Sequence, residues 1–174
     1  MLPQSIHHVA YRCKDAKETV DFYEKALGMS YTFAVAEDEN PTTGESAPFM
    51  HIFFQLPDGS HVAFFELPEE NEMGRDPNTP EWVQHLAMDV GSLDDLNTAK
   101  SRLEAMGVEV VGPTDHKICH SIYFFDPNGH RLELAYRTLS DELAKKLHDI
   151  SAPMLEEWTK TKRAPRHLMA KLAE

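Results

Sequence analysis

Basic residues are scarce in this chain: 17 Lys and Arg stand against 29 Asp and Glu, a formal net charge of −12 over 174 residues. A surface of that sign repels a phosphate backbone or an anionic bilayer, so nucleic acid and membrane are not expected as partners and a small molecule is. Cysteine is scarcer still. Cys13 and Cys119 are the only two, and neither belongs to a CxxC or secretory framework, which excludes a disulfide scaffold and suits a reduced, cytoplasmic compartment. No apolar run approaches the roughly 20 residues that cross a bilayer. The opening Met1-Leu2-Pro3-Gln4-Ser5 has neither the basic nor the apolar region of an export signal. What the chain does have is 41% hydrophobic residues, enough for a core.

Those hydrophobic residues repeat a pattern. His8-Val9-Ala10-Tyr11 and His85-Leu86-Ala87-Met88 each open a short alternating run followed by helical spacing, and Pro57-Asp58-Gly59 and Pro127-Asn128-Gly129 each make a turn before an apolar strand. The chain reads as a duplicated unit, with two histidines and one late carboxylate, Glu133, at related points.

Residues 5–13 alternate as a strand. Asp15 then caps a helix carrying Val20, Phe22, Tyr23 and Leu27, which Gly28 stops. Strands are expected at 29–35, 49–56 and 60–67, with an irregular polar loop between 37 and 47. The second unit repeats the order, with a strand at 82–90, a helix at 93–106 and strands near 108–111, 118–125 and 130–136. The expected class is α+β: one domain over 1–137, made of βαβββ modules at 5–67 and 81–137 joined by a linker at 68–80 rich in Glu, Asn, Asp and Pro. Residues 138–174 form a helical extension and tail, with one helix bearing Leu143, Leu147 and Ile150. A second helix starts near Pro153 and carries Met154, Leu155 and Trp158, the stripe covering the sheet or a partner subunit.

Two βαβββ units, a histidine on the first strand of each and the Gly129-x-x-x-Glu133 ending resemble the vicinal oxygen chelate superfamily of glyoxalases, epimerases, bleomycin-resistance proteins and extradiol dioxygenases. The resemblance covers roughly residues 5–137. It implies two sheets curled into a cup around one divalent metal, with His8, His85 and Glu133 as ligands. Two neutral imidazoles and a carboxylate suit a borderline ion and leave positions open for substrate.

Glyoxalase-like members add a carboxylate from the first module, for which Glu66 is the candidate. Counting from the turn glycines argues against it, because Glu133 lies four residues beyond Gly129 and the fourth beyond Gly59 is Ala63. Glu66 has the opposite strand parity and should point away from the cup. A two-histidine, one-carboxylate set is associated with non-haem Fe(II) oxygenases, so Fe(II) is the expected cofactor, with Mn(II), Ni(II) or Zn(II) as alternatives.

The stretch 115–133 is also similar to the C-terminal signature of extradiol dioxygenases, with Tyr123 ten residues before Glu133. That similarity implies a histidine acting as acid and base toward a catechol and dioxygen, and a tyrosine that hydrogen-bonds substrate. Both His116 and His120 are eligible. Parity favours His116, since His120 and Tyr123 should face opposite sides of a regular strand. The resulting expectation is a homodimeric extradiol-type dioxygenase acting on a small aromatic diol. A glyoxalase or epimerase working through an enediolate, and a ligand-sequestering protein of the bleomycin-resistance kind, are the competing readings. The other histidines, His51 among them, are expected to be structural.

Overall fold

A computed structural model describes residues 2–74 and 76–170; position 75 of the linker and positions 171–174 of the C-terminal tail lie outside it. The first module is β1 (His8–Cys13), α1 (Ala16–Leu27), β2 (Ser30–Glu39), β3 (Ser46–Gln55) and β4 (His61–Glu66). The second is β5 (Leu86–Asp89), α2 (Leu93–Ala105), β6 (Val111–Asp115), β7 (Cys119–Phe125) and β8 (Arg131–Arg137). Each makes a four-stranded mixed sheet of the same topology, β1-β4-β3-β2 and β5-β8-β7-β6, in which the first and last strands pair in parallel. The expected α+β class and the βαβββ duplication are what the structure shows.

Local chemistry sets the helices. The Asp15 carboxylate accepts from the Glu18 amide at 2.7 Å, and α1 ends where Gly28 turns left-handed with φ +69°, its amide donating to Glu24 O. Ser92 caps α2 in the same way, with Asp94 and Asp95 complementing the helix dipole in the first turn.

One face of each sheet is apolar, and both apolar faces pack with α1 and α2 into a single core. Ile52, Phe54, Val62 and Phe64 of the first sheet join Ile122, Phe124, Leu132 and Leu134 of the second, with Tyr23, Leu96 and Leu103 from the helices. A buried polar network ties the modules together within the chain. Tyr23 donates to Asp126 at 3.1 Å, Asn128 donates to Asp126 at 3.0 Å and to Thr19 Oγ1 at 3.1 Å, and the Lys14 amide donates to Asn128 Oδ1 at 2.9 Å. Leaving any one of these groups buried without its partner costs about 1–3 kcal/mol.

Three expectations are corrected. β5 starts at Leu86 because residues 81–84 turn instead of extending, the Val83 amide donating to Pro80 O and Trp82 standing 69% exposed. β6 lies at Val111–Asp115 and not at 108–111, since the Val108 amide is still closing the end of α2 on Leu103 O. Gly112 in β6 has φ +108°, and a Cβ there would lie 2.5 Å from Ser121 O, so the strand meets β7 only with glycine at that place.

The third correction concerns the extension, where one helix, α3 (Asp141–Thr161), runs through Pro153 and is followed by α4 (Arg166–Ala170). α3 has no extensive contact with either sheet. Ile150 is buried, Leu143 and Leu147 are half-buried, and Leu155 and Trp158 are exposed. No helix among the described residues is long and apolar enough to cross a membrane.

Candidate metal and catalytic site

Strand alternation puts Glu133, Tyr123 and Ala135 on the outward face of the second sheet, opposite Leu132 and Leu134 in the core. His85, one residue before β5, reaches the same face. Its Nε2 lies 2.8 Å from Glu133 Oε2, and Glu133 is only 6% exposed. His85 Nδ1 lies 3.1 Å from Val83 O, and a carbonyl can only accept, so Nδ1 carries the proton. In a neutral ring Nε2 is then a lone pair facing a carboxylate. Two such acceptors hold this distance with a proton between them, as an ion pair, or with a cation, for which the pair would supply two donors.

Beside this pair, Tyr123 pairs with Glu133 across β7 and β8, and its hydroxyl lies 2.8 Å from His116 Nε2. Burial pushes the Tyr123 phenol up, and the neighbouring Glu133 charge adds to it, so the group stays a hydrogen-bond donor at neutral pH. Arg131 lays its guanidinium 4.6 Å from the Tyr123 ring centroid. His120 sits one register step from Ser121 and opposite Tyr136, on the other face of β7, as parity requires. A cavity of about 760 Å³ opens beside His85 and Arg131, with linker residues between Asp76 and Gln84 over it.

His8 is elsewhere. It lies on the outward face of the first sheet, 2.7 Å from His7 through their Nδ1 atoms, with ring centroids 6.1 Å from His51 and 5.8 Å from Phe53. Among the described residues, no group of three or more His, Cys, Asp or Glu side chains of one chain could hold a metal ion. Within one chain the structure therefore does not bring His8 together with His85 and Glu133. The two sheets turn their apolar faces into one shared core, so their outward faces, which carry the donors, cannot meet within one molecule.

The glyoxalase/bleomycin resistance protein/dioxygenase superfamily model matches residues 5–134. The chain belongs to this superfamily, the vicinal oxygen chelate proteins. Among curated relatives it is 25% identical to lactoylglutathione lyase of Pseudomonas aeruginosa, over 80% of this chain and 86% of the relative. It is 31% identical to the uncharacterized protein YwkD of Bacillus subtilis, over 77% and 98%. A putative ring-cleaving dioxygenase, MhqA, of the same species is 26% identical, and the match spans 77% of this chain but 40% of that protein. The fold matches a glyoxylase/bleomycin resistance protein/dioxygenase domain from Frankia with a TM-score of 0.64 at 18% identity, covering 78% of this chain and 99% of that one. It also matches the fosfomycin resistance protein FosX of Listeria monocytogenes, solved with Mn(II), with a TM-score of 0.57 at 21% identity, covering 82% and 99%.

As a vicinal oxygen chelate protein, the chain departs from a four-ligand pattern at the first module. Ala63, fully buried on the outward face of β4 between Ala10 and Phe53, occupies the register place of Glu133. Glu66 points the other way, and its Oε2 accepts from the Ala16 amide at 2.7 Å at the start of α1. Sequence reasoning passed over two groups that the structure brings forward. Arg131 was hidden because nothing in its spacing announces a cation over a tyrosine. His51, 6% exposed among aromatic rings, was the one polar residue in an apolar stretch of β3, and that was its available signal.

Proposed function

We propose that this protein is a divalent-metal enzyme, with Fe(II) as the working ion, that opens the ring of a small catechol with dioxygen. We further propose that it acts as a homodimer in which each site takes His85 and Glu133 from one copy and His8 from the other. The observation that carries the reading is the 2.8 Å contact of His116 Nε2 with the Tyr123 hydroxyl, directly beside the His85 and Glu133 pair. Proton-transfer and hydrogen-bonding groups thus stand next to the donor atoms, which binding without turnover does not call for.

When bound, the metal supplies Lewis acidity toward two adjacent substrate oxygens and access to dioxygen chemistry. The chain's own groups do the rest. His116 Nε2 and the Tyr123 hydroxyl, bonded to each other in the free protein, would part as substrate enters. Nε2 then accepts a phenolic proton and the hydroxyl turns to donate to a substrate oxygen, while Arg131 holds the Tyr123 ring in place. The lactoylglutathione lyase relative favours a second reading, carbonyl polarisation leading to an enediolate. Against it stands Ala63, where that chemistry's first-module carboxylate belongs.

Loading the protein anaerobically with Fe(II) and measuring oxygen uptake over a set of catechols tests the proposal. Uptake that requires His116 supports it. A lyase activity toward a thiohemiacetal with Ni(II) or Zn(II), and no uptake with Fe(II), would put the second reading in its place.

A further inference from the structure

Among the described residues, three buried side-chain nitrogens have no hydrogen-bond partner: Arg12 Nε, His51 Nδ1 and Arg131 Nε. The first two belong to one row across the outward face of the first sheet. Arg12 on β1 pairs with Phe65 on β4, Phe65 with His51 on β3, and His51 with Val35 on β2. A cavity of about 800 Å³ lies over this row, walled by Val35, Phe49 and Phe65 and lined also by Arg12 and His51.

The Arg12 cation is poorly matched. Its Nη2 reaches only the carbonyl oxygens of Leu67 at 3.5 Å and Glu70 at 3.4 Å, and no described carboxylate pairs with it. The Glu69 and Glu70 side chains line the same cavity but are exposed, where water screens them. Arg12 and His51 flank Phe65 on neighbouring strands of the row. A half-buried guanidinium and an orphaned imidazole nitrogen facing one cavity are costly unless an anion completes them, and the guanidinium fork matches a carboxylate. The walls are aromatic: Phe49 and Phe65 meet edge to face at 5.5 Å, and the His51 ring centroid is 3.5 Å from that of Phe65. Such walls suit a flat ring.

We propose that this cavity receives an aryl carboxylate, its ring against Phe49 and Phe65 and its carboxylate on Arg12 with His51 as a second donor. Catechols bearing an acidic substituent are then the preferred substrate class. Only that last step rests on the function proposed above, through the nearness of His8 to His51.

The test is equilibrium binding of 3,4-dihydroxybenzoate and of unsubstituted catechol to the metal-free, full-length protein. The expected result is a preference for the acid of at least about tenfold. Arg12→Gln abolishes that preference, Arg12→Lys keeps part of it, and His51→Phe weakens binding of the acid while sparing the cavity's shape. Equal affinity for the two probes in the wild type, or a preference that survives Arg12→Gln, would overturn the proposal. Because no metal is present, these outcomes are independent of the oxygen-uptake experiment. Fe(II)-dependent uptake with both catechols at equal kcat/KM would sustain the proposed reaction and remove this substrate class from it.

Discussion

Glu66 Oε2 accepts the amide hydrogen of Ala16 at 2.7 Å, so the carboxylate at the end of β4 serves the first turn of α1 and not the outward face where His8 lies. With Asp15 it places two carboxylates at the positive end of that helix. Glu66→Ala is expected to lower unfolding free energy by about 1 kcal/mol and to leave metal stoichiometry unchanged. Denaturation curves and metal analysis read the two effects separately, and loss of metal with unchanged stability would return Glu66 to the ligand set.

Separation of His8 from His85 and Glu133 on two outward faces gives the proposed dimeric site a sharp signature. His8→Ala and Glu133→Ala proteins should each bind little metal alone. Mixed in equal amounts, they should recover one intact site in each mixed dimer, since His8 of one variant meets His85 and Glu133 of the other. Metal content of the mixture that stays at the sum of the two separate proteins would remove the shared site.

His116→Ala should reduce turnover by about a hundredfold to ten-thousandfold, the usual worth of a positioned proton-transfer group, while metal and substrate still bind. Tyr123→Phe should cost less. His120→Ala, on the opposite face of β7, should stay near wild type. Steady-state kinetics with Fe(II)-loaded protein decides between the two histidines, and an inactive His120→Ala beside an active His116→Ala would exchange their roles.

Burial pushes the Cys13 thiol up to about 11, with the charges of Glu66, Asp15 and Asp126 adding to the effect against the Thr19 hydrogen bond. At pH 8 only about one Cys13 in a thousand is then a thiolate, so alkylation should require unfolding. The unfolded thiol ionises near its ordinary value while the folded one holds its proton. Above about pH 9 the unfolded state therefore binds fewer protons, and stability should fall as pH rises toward 11. Rapid modification of Cys13 in the native protein at pH 8 would contradict this.

Much of the fold could be read along the chain because its determinants are local. The Asp15 and Ser92 caps, the Gly28 stop and the repeated turns before β4 and β8 each act within a few residues. Parity alone separated Ala63 from Glu66 and Tyr123 from His120. Pro153 misled, because a proline can open a helix, yet the stripe Leu143, Leu147, Ile150, Met154 and Trp158 continues through it at helical spacing. The place of His8 was not legible at all. It depends on how the second module docks on α1 through Asp126 and Asn128, contacts more than 100 residues apart in sequence that no local pattern encodes.

That docking also governs how copies of the chain can trade places. Tyr23, Thr19, Asp126 and Asn128 are sealed in the core, so neither module swings free of its own chain without breaking the core. Subunit exchange in the proposed dimer therefore proceeds by parting outward faces between intact molecules, at a rate set by dimer dissociation and independent of unfolding.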